Sequence, residues 1–254
     1  MGSVYKFRAR FRFESIRFQE KSPMKMCALP VVILLALAVP LCAAETDGFK
    51  DLFNGKDLTG WDGDSKLWSV QDGAIVGETT KENPAKGNTF LVWKGGELKD
   101  FEFRCLFKLE GSNNSGVQYR SKEVSKFVLA GYQCDLQYTF PNMCKLYDEK
   151  KRGRICMAGE VVTMEEKARK NITGTTPDLE KLKTADKKGE WNECVVIAQG
   201  NRLIHKINGI VSIDFTDNDE AGRALSGVLG LQIHGGAPMK ISFKEIKLKE
   251  LPAK

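Results

Sequence analysis

His234 is one of only two histidines in the 254-residue chain. It closes the run Gly230-Leu231-Gln232-Ile233-His234, in which an extended strand puts Gln232 and His234 on one face and Leu231 and Ile233 on the other. Imidazole titrates near neutral pH and suits proton transfer, and the Gly235-Gly236 pair that follows lets a ligand come close to the backbone. The run Tyr132–Tyr138 sorts in the same way: Gln133, Asp135 and Gln137 share one face, while Tyr132, Cys134 and Leu136 share the other. In Val117–Arg120, Gln118 and Arg120 oppose Val117 and Tyr119. Each of the three strands thus offers two or more polar side chains on a single face. Such a face is either a solvated exterior or the floor of a cleft for a hydroxyl-rich ligand. Asp135, in the middle of an apolar-alternating strand, needs a cationic partner, and Arg120 and Arg154 are the candidates. Asp135 and His234 are candidate acid–base residues or, equally, ligands for a divalent cation. The second histidine, His205, shares a face with Leu203 and Ile207, a core or rim position.

The elements that must position these residues are short strands. Phe101–Leu109 alternates apolar and mostly polar residues with period two. Trp68–Val70 and Ala74–Gly77 flank an Asp72-Gly73 turn, and Leu203–Ile207 and Ile210–Phe215 flank Asn208-Gly209; both are hairpin signals. Further strands are expected at Phe90–Trp93, Gly116–Ser121, Lys145–Tyr147, Trp191–Gln199, Gly227–Ile233 and Lys240–Leu248. A dozen or so short strands with turn signals between them predict an all-β, two-sheet antiparallel sandwich. Val162–Glu190 is charged and without clear alternation, so it is expected to be a surface excursion, with a short helix at Glu165–Lys170.

Composition removes several function classes. The net charge of +6 is concentrated in residues 1–44, which carry seven basic and two acidic residues, so the remaining chain is close to neutral and offers no case for nucleic-acid binding. There is no nucleophile elbow, zincin, P-loop or dinucleotide signature. Lys25, the apolar stretch Ala28–Val39 and the small residues Cys42-Ala43-Ala44 before Glu45 form a secretory signal pattern, broken by Pro30 and Pro40 and short for a membrane span. The expected location is therefore secreted or periplasmic, with membrane contact only in transit and an anchor as the alternative. The basic, aromatic residues 1–23 precede a complete signal; they read either as an extended n-region or as a start placed upstream of Met24 or Met26. Five cysteines follow the signal, an odd and irregular set expected to be mostly buried, with Cys144 and Cys156 as the candidate disulfide pair. The organisation expected is a leader over 1–44 and a single β-sandwich domain over 45–254.

Several segments, in order, resemble one family: Phe53-Asn54-Gly55-Lys56-Asp57-Leu58-Thr59-Gly60-Trp61, Asn114-Ser115-Gly116-Val117-Gln118-Tyr119-Arg120, Gly131-Tyr132-Gln133-Cys134-Asp135, Leu146-Tyr147-Asp148-Glu149, Gly189-Glu190-Trp191-Asn192-Glu193, Asn208-Gly209 and Gly230-Leu231-Gln232-Ile233-His234-Gly235. Together they are similar to the 3-keto-disaccharide hydrolase domain family, which has a concanavalin A-like jelly-roll fold. The resemblance spans roughly Gly48 to Leu251. It implies a carbohydrate substrate and cleavage of glycosides whose C3 hydroxyl has been oxidised to a ketone. A base would remove the acidified C2 proton, the enolate would expel the C1 substituent, and water would add back. In that scheme Asp135 or His234 is the base; Arg120, Gln118, Gln133, Gln232, Tyr147 and Asp148 contact substrate; a divalent cation is an alternative to a side-chain donor at the enolate. A non-catalytic, lectin-like binding module on the same fold is the rival reading.

N-terminal sequencing of the exported chain should find a mature product beginning at or near Glu45. A product that still carries Ala28–Val39 would instead indicate an anchor.

Overall fold

The computed structural model describes residues 48–254. The leader, its cleavage site and the upstream basic segment lie outside the described residues. Among the described residues no helix is long and apolar enough to cross a membrane.

Seventeen strands and one short helix follow one another: β1 Lys50–Asp51, β2 Trp61–Asp62, β3 Trp68–Gln71, β4 Ala74–Thr79, β5 Thr89–Trp93, β6 Phe101–Gly111, β7 Ser115–Ser125, β8 Val128–Leu136, β9 Leu146–Glu149, β10 Gly153–Cys156, β11 Glu160–Glu165, β12 Arg169–Thr175, α1 Leu179–Leu182, β13 Asn192–Gln199, β14 Arg202–Ile207, β15 Ile210–Asp217, β16 Val228–Ile233 and β17 Met239–Glu250. They build two sheets. The ten-stranded sheet runs β12-β11-β15-β14-β13-β6-β17-β4-β3, with β1 beside β17; the seven-stranded sheet runs β10-β9-β8-β7-β16-β5-β2. All pairings are antiparallel except β11 with β15. The fold is the two-sheet sandwich that the strand pattern predicts.

Period two does the building. On β6, Phe101, Phe103, Cys105, Phe107 and Leu109 are buried and the residues between them are half-exposed, so one face of the ten-stranded sheet meets the core. Phe215, Phe243, Ile213 and Ile241 extend that face. From the other sheet, Val117, Tyr119, Tyr132, Cys134, Leu229 and Leu231 pack onto the same core. The two hairpin turns form with the backbone they require: Asp72 and Gly73 have φ of 49° and 72°, and Asn208 and Gly209 have φ of 48° and 80°.

The reading of Val162–Glu190 is overturned. Glu160–Glu165 and Arg169–Thr175 form a hairpin that extends the ten-stranded sheet, with Val161 to Met164 in parallel register with Asp214 to Asp217. Val162 and Met164 are buried, whereas all of β12 is exposed. The expected helix at Glu165–Lys170 is the turn of this hairpin, because Lys167 and Ala168 take left-handed φ of 61° and 55°. The helix instead lies at Leu179–Leu182, anchored by buried Leu182. The Cys144–Cys156 disulfide is also overturned. All five cysteines among the described residues are free thiols; that of Cys156 points to the carbonyl of Glu160, and Cys144 lies beside Cys134 and Cys194.

His205 is a core residue that ties the sheets together. Its Nδ1 donates to the Cys144 carbonyl (3.0 Å), which leaves Nε2 to accept from the Tyr119 hydroxyl (2.8 Å). Burial pulls its pKa from the usual 6.5 to about 4, so it is neutral at neutral pH. A depressed pKa contributes stability that is present above about 6.5 and is lost as pH falls through about 4. The thermal midpoint should therefore drop between pH 6.5 and 4, by an amount set by at most about 3 kcal/mol from this one residue. His205→Gln should lower the midpoint at pH 7 and flatten that pH dependence. An unchanged slope would assign the acid sensitivity to other groups.

Candidate functional site

The sheet order puts β16, β7 and β8 side by side, and β9 follows β8. Their polar residues meet along one row of the register. Leu231 faces Val117 across β16 and β7, and Gly116 faces Asp135 across β7 and β8. One residue further along, Gln232 and Asp135 flank Gly116. The missing side chain of Gly116 keeps this floor open, since a Cβ there would lie 2.5 Å from Cδ of Gln133, which leans across it. The result is a cleft of about 430 Å³ floored by Gln133, Asp135 and Gln232 and walled by Lys145, Tyr147 and His234; Asn88, Asn114, Asn142, Glu149 and Arg154 complete the rim.

Asp135 is 4% exposed, and its partner is neither expected arginine but Lys145, whose Nζ lies 2.6 Å from Oδ2. Lys145 also donates to Oε1 of Gln137 at 3.2 Å. Burial raises the Asp135 pKa, while the Lys145 ammonium and, less strongly, His234 oppose the rise. Glu149 is likewise raised by burial and opposed by a hydrogen bond from Asn88. His234 sits where β16 ends. Its Nδ1 donates to the Gly235 carbonyl at 2.6 Å, which leaves Nε2 as the nitrogen with a free lone pair. Asn113 holds the following loop through bonds to the carbonyls of His234, Gly235 and Ala237, and Asn88 accepts from the Gly235 amide.

Gln232 is 1% exposed, and both its side-chain Nε2 and Oε1 lack a hydrogen-bond partner; Oδ1 of Asn114 on the same cleft is also unpaired. A buried amide left without partners costs roughly 1–3 kcal/mol per group, so this floor is built to receive hydrogen bonds from something else.

Not every expected site residue reaches the cleft. Gln133, Asp135, Tyr147, Gln232 and His234 line it. Gln118 lies behind it: its Oε1 accepts from Gln133 Nε2 (2.9 Å), and its own Nε2 donates to Ser121 and to the Gly131 carbonyl. It holds Gln133 rather than facing the opening. Asp148, on the opposite face of β9 from Tyr147, pairs with Arg152 at 2.7 Å in a buried group with Asp217 and Asp219. Arg120 is displaced by a bulge between Tyr119 and Lys122 and takes a left-handed φ of 44°. Its guanidinium turns away and binds the carbonyls of Lys99 (2.8 Å) and Gly200 (2.7 Å) and the Asp100 carboxylate (3.1 Å).

Sequence reasoning missed Lys145 and Glu149, although alternation along Lys145-Leu146-Tyr147-Asp148-Glu149 sets both on the Tyr147 face. The cation alternative finds no support in the donor set. Asp135 is already neutralised by Lys145, and the only trio of metal-ligating side chains converging within 4.8 Å among the described residues is Cys134, Cys144 and Cys194.

Because Arg120 is a buried cross-tie, Arg120→Ala should destabilise the fold by about 3–5 kcal/mol through the orphaned Asp100 and carbonyls. Thermal or denaturant unfolding checks this. A loss below about 1 kcal/mol would contradict the cross-tie.

A curated 3-keto-disaccharide hydrolase of Bacteroides thetaiotaomicron is 32% identical over 92 residues, which are 32% of this chain and 30% of that relative, so the match spans less than a third of its length. A crystal structure of a presumptive glycosyl hydrolase from Parabacteroides distasonis superimposes with a TM-score of 0.54 at 25% identity, covering 81% of this chain and 94% of that one. A carbohydrate-binding module of Bacillus subtilis gives 0.50 at 14% identity over 75% of this chain and 96% of the module, which speaks for the fold alone. The family model for the 3-keto-alpha-glucoside-1,2-lyase-like domain matches residues 48–249, nearly all of the described sandwich and both walls of the cleft, and the chain belongs to that family.

Proposed function

We propose that the cleft binds a glycoside carrying a ketone at C3 and cleaves its glycosidic bond by elimination followed by hydration, in a chain exported by its leader. The observation that carries the reading is the unpartnered amide of Gln232 on the cleft floor. With Asn114 it offers a donor and acceptors to ring hydroxyls, and Gln133, held by Gln118, extends that row.

The chemistry needs a base of moderate pKa and a positive group where negative charge develops. His234 Nε2 takes the proton from C2. The electron pair of that C–H bond moves into the C2–C3 bond, and the ketone oxygen becomes an enolate. The Lys145 ammonium stabilises that oxygen, and Asp135 and Gln137 hold the ammonium in place. When the enolate reforms the ketone, the C1–O bond breaks, and the leaving oxygen takes the proton that His234 removed from C2. Water then adds across the C1–C2 double bond, giving net hydrolysis. No pair of carboxylates at glycosidase spacing is required.

The rival lectin-like reading calls for an aromatic platform without a buried ionisable pair. Tyr147 is the single aromatic residue on this cleft, whereas Asp135 and Lys145 are buried and paired. That balance favours catalysis over binding alone.

Incubation of the exported chain with 3-keto-glycosides and with the parent glycosides tests the proposal. Turnover should require the ketone. His234→Ala should lower it about 10²–10⁴-fold, with the melting temperature nearly unchanged because the imidazole's hydrogen bond is to the neighbouring Gly235 carbonyl. Full activity in His234→Ala, or equal turnover of substrates lacking the ketone, would overturn it.

A further inference from the structure

Three thiols meet between the sheets, away from the cleft. Cys134 comes from β8 of the seven-stranded sheet, Cys194 from β13 of the ten-stranded sheet, and Cys144 from the connection between β8 and β9. Their sulfurs all lie within 4.8 Å of one another, and those of Cys134 and Cys194 are 3.7 Å apart. Cys105 on β6 is the register partner of Cys194, and their thiols are hydrogen-bonded. Packing alone would be served by any small apolar side chains at these positions. What needs explaining is that three separate stretches of chain bring sulfur atoms within 4.8 Å of one another, with a fourth thiol, Cys105, beside Cys194.

The Cys134–Cys194 spacing matches that between two sulfurs on one metal ion. Tetrahedral zinc with Zn–S bonds of about 2.3 Å sets neighbouring sulfurs about 3.8 Å apart, close to the 3.7 Å between Cys134 and Cys194. A disulfide would need about 2.05 Å, and reaching it would pull the two packed sheets together. His205, beside Cys144, has both ring nitrogens engaged, so sulfur is the donor available here.

We propose that Cys134, Cys144 and Cys194, with Cys105 as the fourth ligand, bind one zinc ion that fastens the two sheets to each other. Each Zn–S bond replaces an S–H bond and releases a proton to solvent; no electrons are transferred, and no oxidant is needed. The three sulfurs are fully buried, so the ion must enter while the chain folds.

The test is refolding of the full chain with and without Zn²⁺. About one zinc per chain should survive exhaustive dialysis, and the zinc-refolded chain should melt at higher temperature than the chain refolded without metal. Zinc added to the already folded, metal-free chain should not bind. Refolding with Co²⁺ instead should give intense thiolate-to-cobalt charge-transfer absorption. Cys134→Ala should lose that absorption, while Cys156→Ala, whose thiol lies elsewhere, should keep it. The cobalt spectrum of the unsubstituted chain stands as a readout even if Cys134→Ala does not fold. A chain that refolds without retaining zinc, that lacks the charge-transfer bands, or that oxidises Cys134 to Cys194 instead would overturn the proposal.

Discussion

A carboxylate that is 4% exposed on a sheet cannot stay charged without a cation beside it, and for Asp135 that cation is Lys145. Much of the cleft depends on this pairing. Lys145 reaches Asp135 because the chain leaves β8 at Leu136, turns through the Phe140–Cys144 segment and returns as β9, with the Asp135 amide bonded to the Lys145 carbonyl. The same return brings Tyr147 and Glu149 onto the cleft face and sends Asp148 to the other side. Removing either partner would leave the other as an uncompensated buried charge, a loss of about 3–5 kcal/mol, so the geometry of the ammonium is fixed by the stability of the sheet.

The seven-stranded sheet is buried on both faces at β7, β8 and β16. One face is apolar and meets the opposite sheet; the other is a row of amides and charges. Almost every polar group in that row has a partner inside the protein: Gln118 with Gln133, Asp135 with Lys145, Ser115 with the Gln232 carbonyl. The side chain of Gln232 and Oδ1 of Asn114 are the exceptions. Unpaired polar atoms on this cleft are thus confined to Gln232 and Asn114, and they leave donor and acceptor capacity facing its opening. The family to which the chain belongs and the carbohydrate-associated proteins that share its fold are consistent with such a ligand.

Alternation made the sheet faces legible. Gln133, Asp135, Gln232 and His234 were placed on common faces from period two alone, and they line one cleft. Two physical effects hid the rest. A bulge after Tyr119 breaks the period, so Arg120, read as a cleft residue, turns into the interior to bind Asp100 and two carbonyls. Burial on both faces defeats alternation as well, since Gln118 is as buried as Val117 yet sits behind Gln133 instead of facing ligand. The β11–β12 hairpin was illegible for another reason. It buries little more than Val162 and Met164, and β12 is an exposed edge rich in charge, which carries the composition of a loop. The partner of Asp135 went unseen because Lys145 is distant in register until β9 is paired with β8.

In the proposed reaction the bond breaks by loss of the C2 proton rather than by direct displacement at C1. The most direct measurement is cleavage of a 3-keto-glycoside deuterated at C2, with turnover rate and product label read together against a no-enzyme control. Elimination should give a primary isotope effect on turnover and replacement of deuterium by solvent hydrogen at C2 in the released sugar. Cleavage at an undiminished rate with the C2 deuterium retained would contradict it.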